Sequence, residues 1–163
     1  MSEQPEQIVV SAETLDRMRA ELEELTTVGR KAMSERLLRA REFGDIRENA
    51  DYDAAKDAQA MMEARIRRLQ YMTKHAAIRD APAETEEVTP GVIVTICEIG
   101  QDETEEYLLA ATAEEKLPGV RTITTASPLG SALLGKRVGD SIVVEAPAGA
   151  FSVKLVGLRP AGA

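Results

Sequence analysis

The sequence predicts an α+β protein with two parts, an antiparallel helical hairpin followed by a small β-rich domain that carries one short helix. Two long runs with the helical period, a segment rich in Pro, Thr and Glu, and then several strand-like runs predict this order. We place the coiled-coil hairpin in residues 1–80, the linker in 81–91 and the sheet domain in 92–163. A chain of 163 residues is long enough for two small domains.

The first helical run covers residues 11–42 and shows one apolar stripe, with steps of three and four residues and a slip at Met33. The members of the stripe are Leu15, Met18, Leu22, Leu25, Val28, Ala32, Leu37 and Ala40. A single narrow stripe is typical of a helix that packs against one partner helix.

The second helical run extends from Asn49 to about Ala76 and carries a similar stripe. Its members are Ala54, Ala58, Met62, Ile66, Leu69, Met72 and Ala76. Because only a short break at Phe43 and Gly44 separates the two runs, we expect them to pack as an antiparallel hairpin. At 1.5 Å per residue, each helix would be roughly 40 Å long, and the bend would lie far from the rest of the protein.

After the linker, the pattern changes to short runs rich in β-branched residues and separated by Gly and Pro. The predicted strands are VIVTICEI (92–99), EEYLLA (105–110), VRTITTA (120–126), DSIVVEAP (140–147) and FSVKLVGL (151–158). The apolar stretch at Ala132–Leu134 predicts a short helix of about two turns between the third and fourth strands.

Composition and charge narrow the classes of function. The net charge of −8 disfavours a protein that coats nucleic acid by bulk electrostatics, although most of the basic residues lie in the first half of the chain. No apolar run approaches the roughly 20 residues of a membrane span, and the amino terminus MSEQPEQ lacks the features of a signal peptide. We therefore expect a cytoplasmic protein with no membrane partner, and a buried strand position for the single cysteine, Cys97.

Acidic residues gather at the bend of the hairpin. Asp45 and Glu48 are three residues apart, so their side chains can share one face of a helix that begins near Asp45. Such a pair can contribute to a Mg²⁺ site, but two carboxylates are too few for a closed one, and the remaining ligands would have to come from elsewhere. The same spacing is also close to a capping box, which needs no metal.

The stretch GDIRENADYDAAKDAQ closely resembles the tip motif of the bacterial transcript cleavage factors GreA and GreB, which usually reads G-D-L-R-E-N-A-E-Y followed by A-A-K. A second stretch, SPLGSALLGKRVGD, is similar to a segment of the carboxy-terminal domain of that family. The resemblance covers roughly residues 10–158. The matching tip residues are Gly44, Asp45, Arg47, Glu48, Asn49, Ala50 and Tyr52.

The resemblance implies a transcription elongation factor whose FKBP-like carboxy-terminal domain binds RNA polymerase and whose hairpin enters the secondary channel. There, Asp45 and Glu48 would help to hold the second Mg²⁺ ion of the polymerase beside the 3′ end of the backtracked nascent RNA. The metal would be shared with the polymerase and not bound stably by this chain alone. The protein would act as a monomer and would not be an enzyme itself, but would activate the intrinsic RNA cleavage of the polymerase.

The resemblance also implies roles for other residues. Gly44, Arg47, Asn49 and Tyr52 would support the tip. Ser127 and Pro128 would form the loop that docks on the polymerase, although Ser-Pro also simply starts a turn before a short helix. Candidates for contact with the RNA backbone are Arg36, Arg39 and Arg41, for which an ordinary solvated surface is the alternative.

Three other functions stay open from the sequence. The first is a Gre-like factor that enters the same channel but inhibits synthesis, an alternative suggested by Asp53, which stands where the family commonly has His. The second is a working prolyl isomerase in the FKBP-like domain. The third is a plain coiled-coil adaptor, for which the tip acids would be dispensable.

Overall fold

The computed structural model describes residues 7–43, 49–80 and 86–161. These residues divide into two compact units. Leu15–Ala76 form the first unit, while Gln7–Thr14 join the residues from Ala77 onward in the second. The predicted α+β class is confirmed, but the boundary is not where we expected it, because segments on both sides of the hairpin belong to the second unit.

Helices make up most of the described part of the first unit, and the first helix begins three residues before it. Their bounds are α1 at Ala12–Glu24, a π-helical turn at Leu25–Gly29, α2 at Arg30–Glu42 and α3 at Ala50–His75. The π-helical turn joins α1 to α2 without a break, so together they form the first arm of the hairpin and α3 forms the second. Among the described helices, none is both long and apolar enough to cross a membrane.

The π-helical turn inserts one residue into the first arm. The backbone N–H of Arg30 donates to the carbonyl of Leu25, five residues earlier. The hydroxyls of Thr26 and Thr27 each donate to the carbonyl four residues before them at 2.7 Å. Such side-chain bonds compete with the helical hydrogen bonds and bend or loosen a helix locally, which favours the irregular turn here.

The inserted residue explains why the predicted stripe is wrong at Val28 and Ala32, although Leu37 is partly buried and Ala40 is buried as predicted. Val28 is 64% exposed and Ala32 is exposed too. The contact with α3 passes instead through Gly29, where an added Cβ would lie 3.4 Å from the sulfur of Met62. Because the π-helical turn takes up one extra residue, the seam continues at Gly29, one position later than the predicted Val28.

The stripe of α3 is close to the predicted one. Ala54 is exposed, and its neighbour Ala55 is fully buried in its place. Ala76 is not the last helical residue but the first residue of a strand. The buried positions further along are Ile66, Leu69 and Met72, as the helical period predicted.

Two bidentate ion pairs join the arms. Arg30 binds Glu63 through two hydrogen bonds of 2.9 Å, and Arg65 binds Glu21 through two of 2.7 Å. The hydrogen bonds from Arg30 lower the pKa of Glu63. Because a planar guanidinium fits a carboxylate in one orientation only, these pairs favour one stagger of the arms.

The second unit contains two sheets. The smaller one pairs β1 (Ile8–Val10) with β2 (Ala76–Ile78), neither of which was expected. The larger one has the order β5-β4-β3-β7-β6 and is antiparallel except between β4 and β5. Its strands are β3 (Val92–Glu98), β4 (Thr104–Ala110), β5 (Arg121–Thr124), β6 (Ser141–Ala146) and β7 (Gly149–Pro160), with helix α4 at Pro128–Leu133.

The main core of this unit lies on the sheet face that packs against α4. Val88, which we had placed in the linker, is fully buried in it and donates its N–H to the carbonyl of Lys136 at 2.8 Å. The domain therefore begins before residue 92. The other buried core residues are Val92, Val94, Ile96, Leu109, Leu133, Ile142, Val144, Val153 and Leu155.

A buried ion pair lies at the edge of the second unit. The guanidinium of Arg79 donates to both carboxylate oxygens of Glu115 at 2.6 and 3.2 Å, and the Glu115 side chain is only 3% exposed. The backbone N–H of Ala111 adds a third hydrogen bond to this carboxylate. Gly91 leaves room for the guanidinium, because a Cβ at that position would lie 2.5 Å from its Nε.

Candidate functional site

Asn49 closes the hairpin next to the bend. Its side-chain oxygen accepts hydrogen bonds from the backbone N–H groups of Asp51 and Tyr52 at 3.1 and 3.2 Å, which caps the amino terminus of α3. Its side-chain nitrogen donates to the carbonyl of Ala40 in the last turn of α2. One amide group therefore satisfies exposed backbone groups of both helices and ties the arms together where the bend begins.

Asn49 thus provides the cap at the start of α3, which begins at Ala50. Asp45 and Glu48, the pair of the capping-box interpretation, lie outside the described residues, so that interpretation stays a prediction.

Four of the predicted tip residues, Gly44, Asp45, Arg47 and Glu48, lie outside the described residues, so their roles stay predictions. Within the described ranges, no group of three or more His, Cys, Asp and Glu side chains could hold a metal ion. The donor chemistry of Asp45 and Glu48 does suit Mg²⁺, which prefers hard carboxylate oxygens.

Tyr52 and Arg41 meet at the same end of the hairpin. The guanidinium carbon of Arg41 lies 5.7 Å from the centroid of the Tyr52 ring, which is the geometry of a cation–π contact. Tyr52 is half-buried in the first turn of α3, whereas Arg41 is exposed in the last turn of α2. The pair adds a second tie between the arms and leaves the charge of Arg41 accessible.

The basic residues of α2 line the approach to the bend. Arg36, Arg39 and Arg41 are all exposed, and Arg36 and Arg39 are three residues apart, so they lie on one face of the helix. Arg39 and Arg41 also lie in the last turn, where a positive charge stabilises the helix dipole. Their positions agree with either a contact to RNA or a solvated surface.

The Ser-Pro pair starts helix α4, as the structural alternative predicted. The Oγ of Ser127 accepts from the N–H of Gly130 at 3.1 Å and donates to the carbonyl of Thr124 at 2.8 Å, and Pro128 occupies the first turn. An added Cβ at Gly130 would lie 2.0 Å from the Thr124 carbonyl oxygen. The loop is therefore held in one conformation. The docking role of Ser127 and Pro128 stays a prediction.

A groove of about 260 Å³ lies next to this loop. Its apolar lining includes Leu129, Tyr107 and Phe151, and the last two are the only aromatic residues of the sheet domain. The polar side chains around it are Glu98, Gln101, Glu103 and Glu105. Sequence reasoning missed this acidic groove because strands that are far apart in sequence build it, although the two aromatic residues were a signal for it.

Tyr107 is held by charged neighbours in this groove. Its hydroxyl donates to Glu105 at 2.6 Å, and Arg121 binds the same carboxylate while its guanidinium carbon lies 5.0 Å from the Tyr107 ring centroid. Burial and the bond to Glu105 raise the pKa of Tyr107, so the phenol stays protonated at neutral pH.

The chain is similar to known proteins over most of its length. The family model "Transcription elongation factor, N-terminal" of GreA and GreB matches residues 8–78, and the GreA/GreB carboxy-terminal model matches residues 83–160. Transcription elongation factor GreA of Caldanaerobacter subterraneus subsp. tengcongensis is 39% identical over 93% of this chain and 97% of its own length. GreA of Geobacillus kaustophilus is 40% identical over 94% of this chain and 97% of its own.

A solved structure of GreA factor homolog 1 from Thermus thermophilus is 26% identical, covers 94% of this chain and 99% of that chain, and has a TM-score of 0.43. The two family models together span almost the whole sequence, and the curated relatives are similar over nearly their full length. The chain belongs to the GreA/GreB family of transcription elongation factors.

Proposed function

We propose that this protein stimulates RNA polymerase to cleave the 3′ end of backtracked nascent RNA, and that it does not hydrolyse RNA by itself. The observation that carries the proposal is the carboxylate pair Asp45 and Glu48 at the bend of a long helical hairpin. The pair lies between the two arms in the sequence, and in a chain of this family it would be presented to the interior of a partner.

The carboxylates are suited to complete a metal site in the polymerase. A Mg²⁺ ion at Asp45 and Glu48 would supply stabilisation of the charge on the oxygens of the phosphodiester that is cleaved. Two carboxylates leave most of the octahedral positions of Mg²⁺ open, so the polymerase and the RNA would have to fill them. This requirement explains why the factor would be inactive alone.

The hairpin provides the reach that such a role needs. Helix α3 alone has 26 residues, which corresponds to about 39 Å at 1.5 Å per residue. Asn49, one residue beyond Glu48, ties the arms together and therefore fixes where the chain leaves the bend. We infer that Asn49 and Tyr52 position the tip, and that Arg36, Arg39 and Arg41 contact RNA phosphates along the approach.

The second unit would provide the affinity for the polymerase. Ser127 and Pro128 form a rigid loop, and the neighbouring groove combines an apolar lining with three glutamates. A basic, partly apolar segment of the polymerase surface would complement this chemistry.

A backtracked elongation complex with 5′-labelled RNA tests the proposal. In magnesium buffer, the wild-type protein is expected to produce shortened RNA that can still be extended. The double variant Asp45→Ala/Glu48→Ala is expected to leave the RNA intact while still competing with the wild-type protein for the polymerase. Intact RNA together with slower nucleotide addition by the wild-type protein would contradict the proposal and favour a channel inhibitor.

A further inference from the structure

Phe43 is the residue next to the bend that the proposed function leaves unexplained. It is 83% exposed, the highest value among the large apolar side chains in the described part of the chain. It also directly follows α2, so it lies at the end of the hairpin that carries the tip acids. We propose that Phe43 is a stacking residue for an unpaired base of single-stranded RNA, an inference that rests on the proposed function.

The backbone that leads into Phe43 is held by two contacts with the second arm. The carbonyl of Ala40 accepts from the Asn49 side chain, and the guanidinium of Arg41 packs on the ring of Tyr52. Both contacts lie within three residues of Phe43. The ring is thus exposed to solvent at an anchored helix end, so little ordering of the α2 backbone would be needed when a base binds.

The neighbours of Phe43 favour RNA as the occupant. Arg39 lies four residues before Phe43, in the last turn of α2, and Phe43 is the residue that follows this turn. Both Arg39 and Arg41 are exposed cations that can bind phosphates. A basic track with an aromatic side chain beside it is the combination that binds single-stranded nucleic acid, the cations through the backbone and the ring through the base.

Packing does not account for the ring. A side chain that is 83% exposed contributes little to the stability of the hairpin, and its apolar surface is unfavourable in water. Substitutions at Phe43 are therefore expected to leave folding unchanged. Because folding is unchanged, any loss of activity in a Phe43 variant would come from a lost contact with the RNA or the polymerase.

The first experiment compares two replacements at saturating protein in the cleavage assay. Phe43→Trp keeps a flat ring and is expected to cleave like the wild type, whereas Phe43→Leu keeps apolar volume without a ring and is expected to cleave about tenfold more slowly, within the range for one lost base–aromatic stack. Leu38→Ala is the control, because Leu38 is also exposed on α2, at 59%, and is expected to have no effect. Equal rates for the Trp and Leu variants would overturn the inference and indicate an apolar contact with protein.

The second experiment measures the stack without cleavage. In the Asp45→Ala/Glu48→Ala background, RNA with 2-aminopurine at its 3′ end is expected to lose fluorescence when Phe43 or Trp is present but not when Leu is present. Cleavage by the wild type without any ring-dependent quenching would overturn the stacking inference alone. Ring-dependent quenching in a complex that the wild type does not cleave would support the stack and overturn the proposed function.

Discussion

The two units of this protein use the same ion-pair geometry in different environments. In the hairpin, Arg30 and Glu63 form a bidentate pair with side chains that are 48% and 31% exposed. In the second unit, Arg79 and Glu115 form a bidentate pair with side chains that are 17% and 3% exposed. Water can solvate the first carboxylate if its partner is removed, but it can hardly reach the second. The hairpin pair therefore mainly aligns two helices. Loss of either partner of the buried pair would leave the other charge without a partner inside the protein.

The largest effect is expected from breaking the buried pair. Arg79→Met leaves the Glu115 carboxylate without its partner, and we expect a loss of about 3–5 kcal/mol in the free energy of unfolding. Urea denaturation followed by circular dichroism measures this loss. The double variant Arg79→Met/Glu115→Leu is the control and should recover much of the stability, since no charge remains unpaired. A single variant as stable as the wild type would show that water reaches Glu115 after all.

A smaller effect is expected from the neutral hydrogen bonds that close the hairpin. Asn49→Ala removes the cap of α3 and the bond to Ala40, and we expect a loss of about 1 kcal/mol, typical of an N-cap. Asn49→Asp separates the two contacts, because a carboxylate keeps the cap but cannot donate to the carbonyl. Hydrogen exchange of the amides in the first turn of α3 should increase in the Ala variant and stay close to wild type in the Asp variant. Equal exchange in all three proteins would show that the cap does not hold this end.

The smallest effect is expected from the exposed pair. The folded-state pKa of Glu63 is lowered, mainly by hydrogen bonds from Arg30, so its contribution is present above the unfolded pKa of about 4.3 and is lost as the pH falls through the lower folded value. Thermal unfolding between pH 7 and pH 3 should therefore show a slightly steeper acid loss for the wild type than for Glu63→Gln. Identical profiles would mean that the pair contributes only to alignment.

Much of the fold could be predicted from the sequence because periodicity reports it directly. The helical stripes and the alternating strands each depend on neighbours within one element, and the sheet strands were found within a few residues. The small sheet was missed because β1 and β2 have three residues each, too few to show a period. Their pairing depends on residues almost 70 positions apart, which a local pattern does not contain.

The site was predictable in its motif but not in its geometry. The second helical run was predicted from Asn49 onward and α3 begins at Ala50, but the bond from the Asn49 side chain to the carbonyl of Ala40 joins two helices and has no local sequence signal. The buried pair of Arg79 and Glu115 was missed because both side chains are charged and a sequence pattern assigns such residues to the surface. The seam error at Val28 came from assuming a constant helical period through Leu25–Gly29.

The single inserted residue of the π-helical turn has a consequence for how a hairpin of this kind can change. The number of residues in the arms determines their length. The π-helical turn determines the orientation of the α2 side chains around the helix axis. Replacing Thr26 and Thr27 so that this turn becomes a regular helix, with no residue lost, would bring Val28 and Ala32 toward α3 and turn the side chains that follow by about 100° around the axis. Arm length and side-chain direction are thus encoded separately, and a change of helix type over one turn can redirect the side chains of α2 with little change in length.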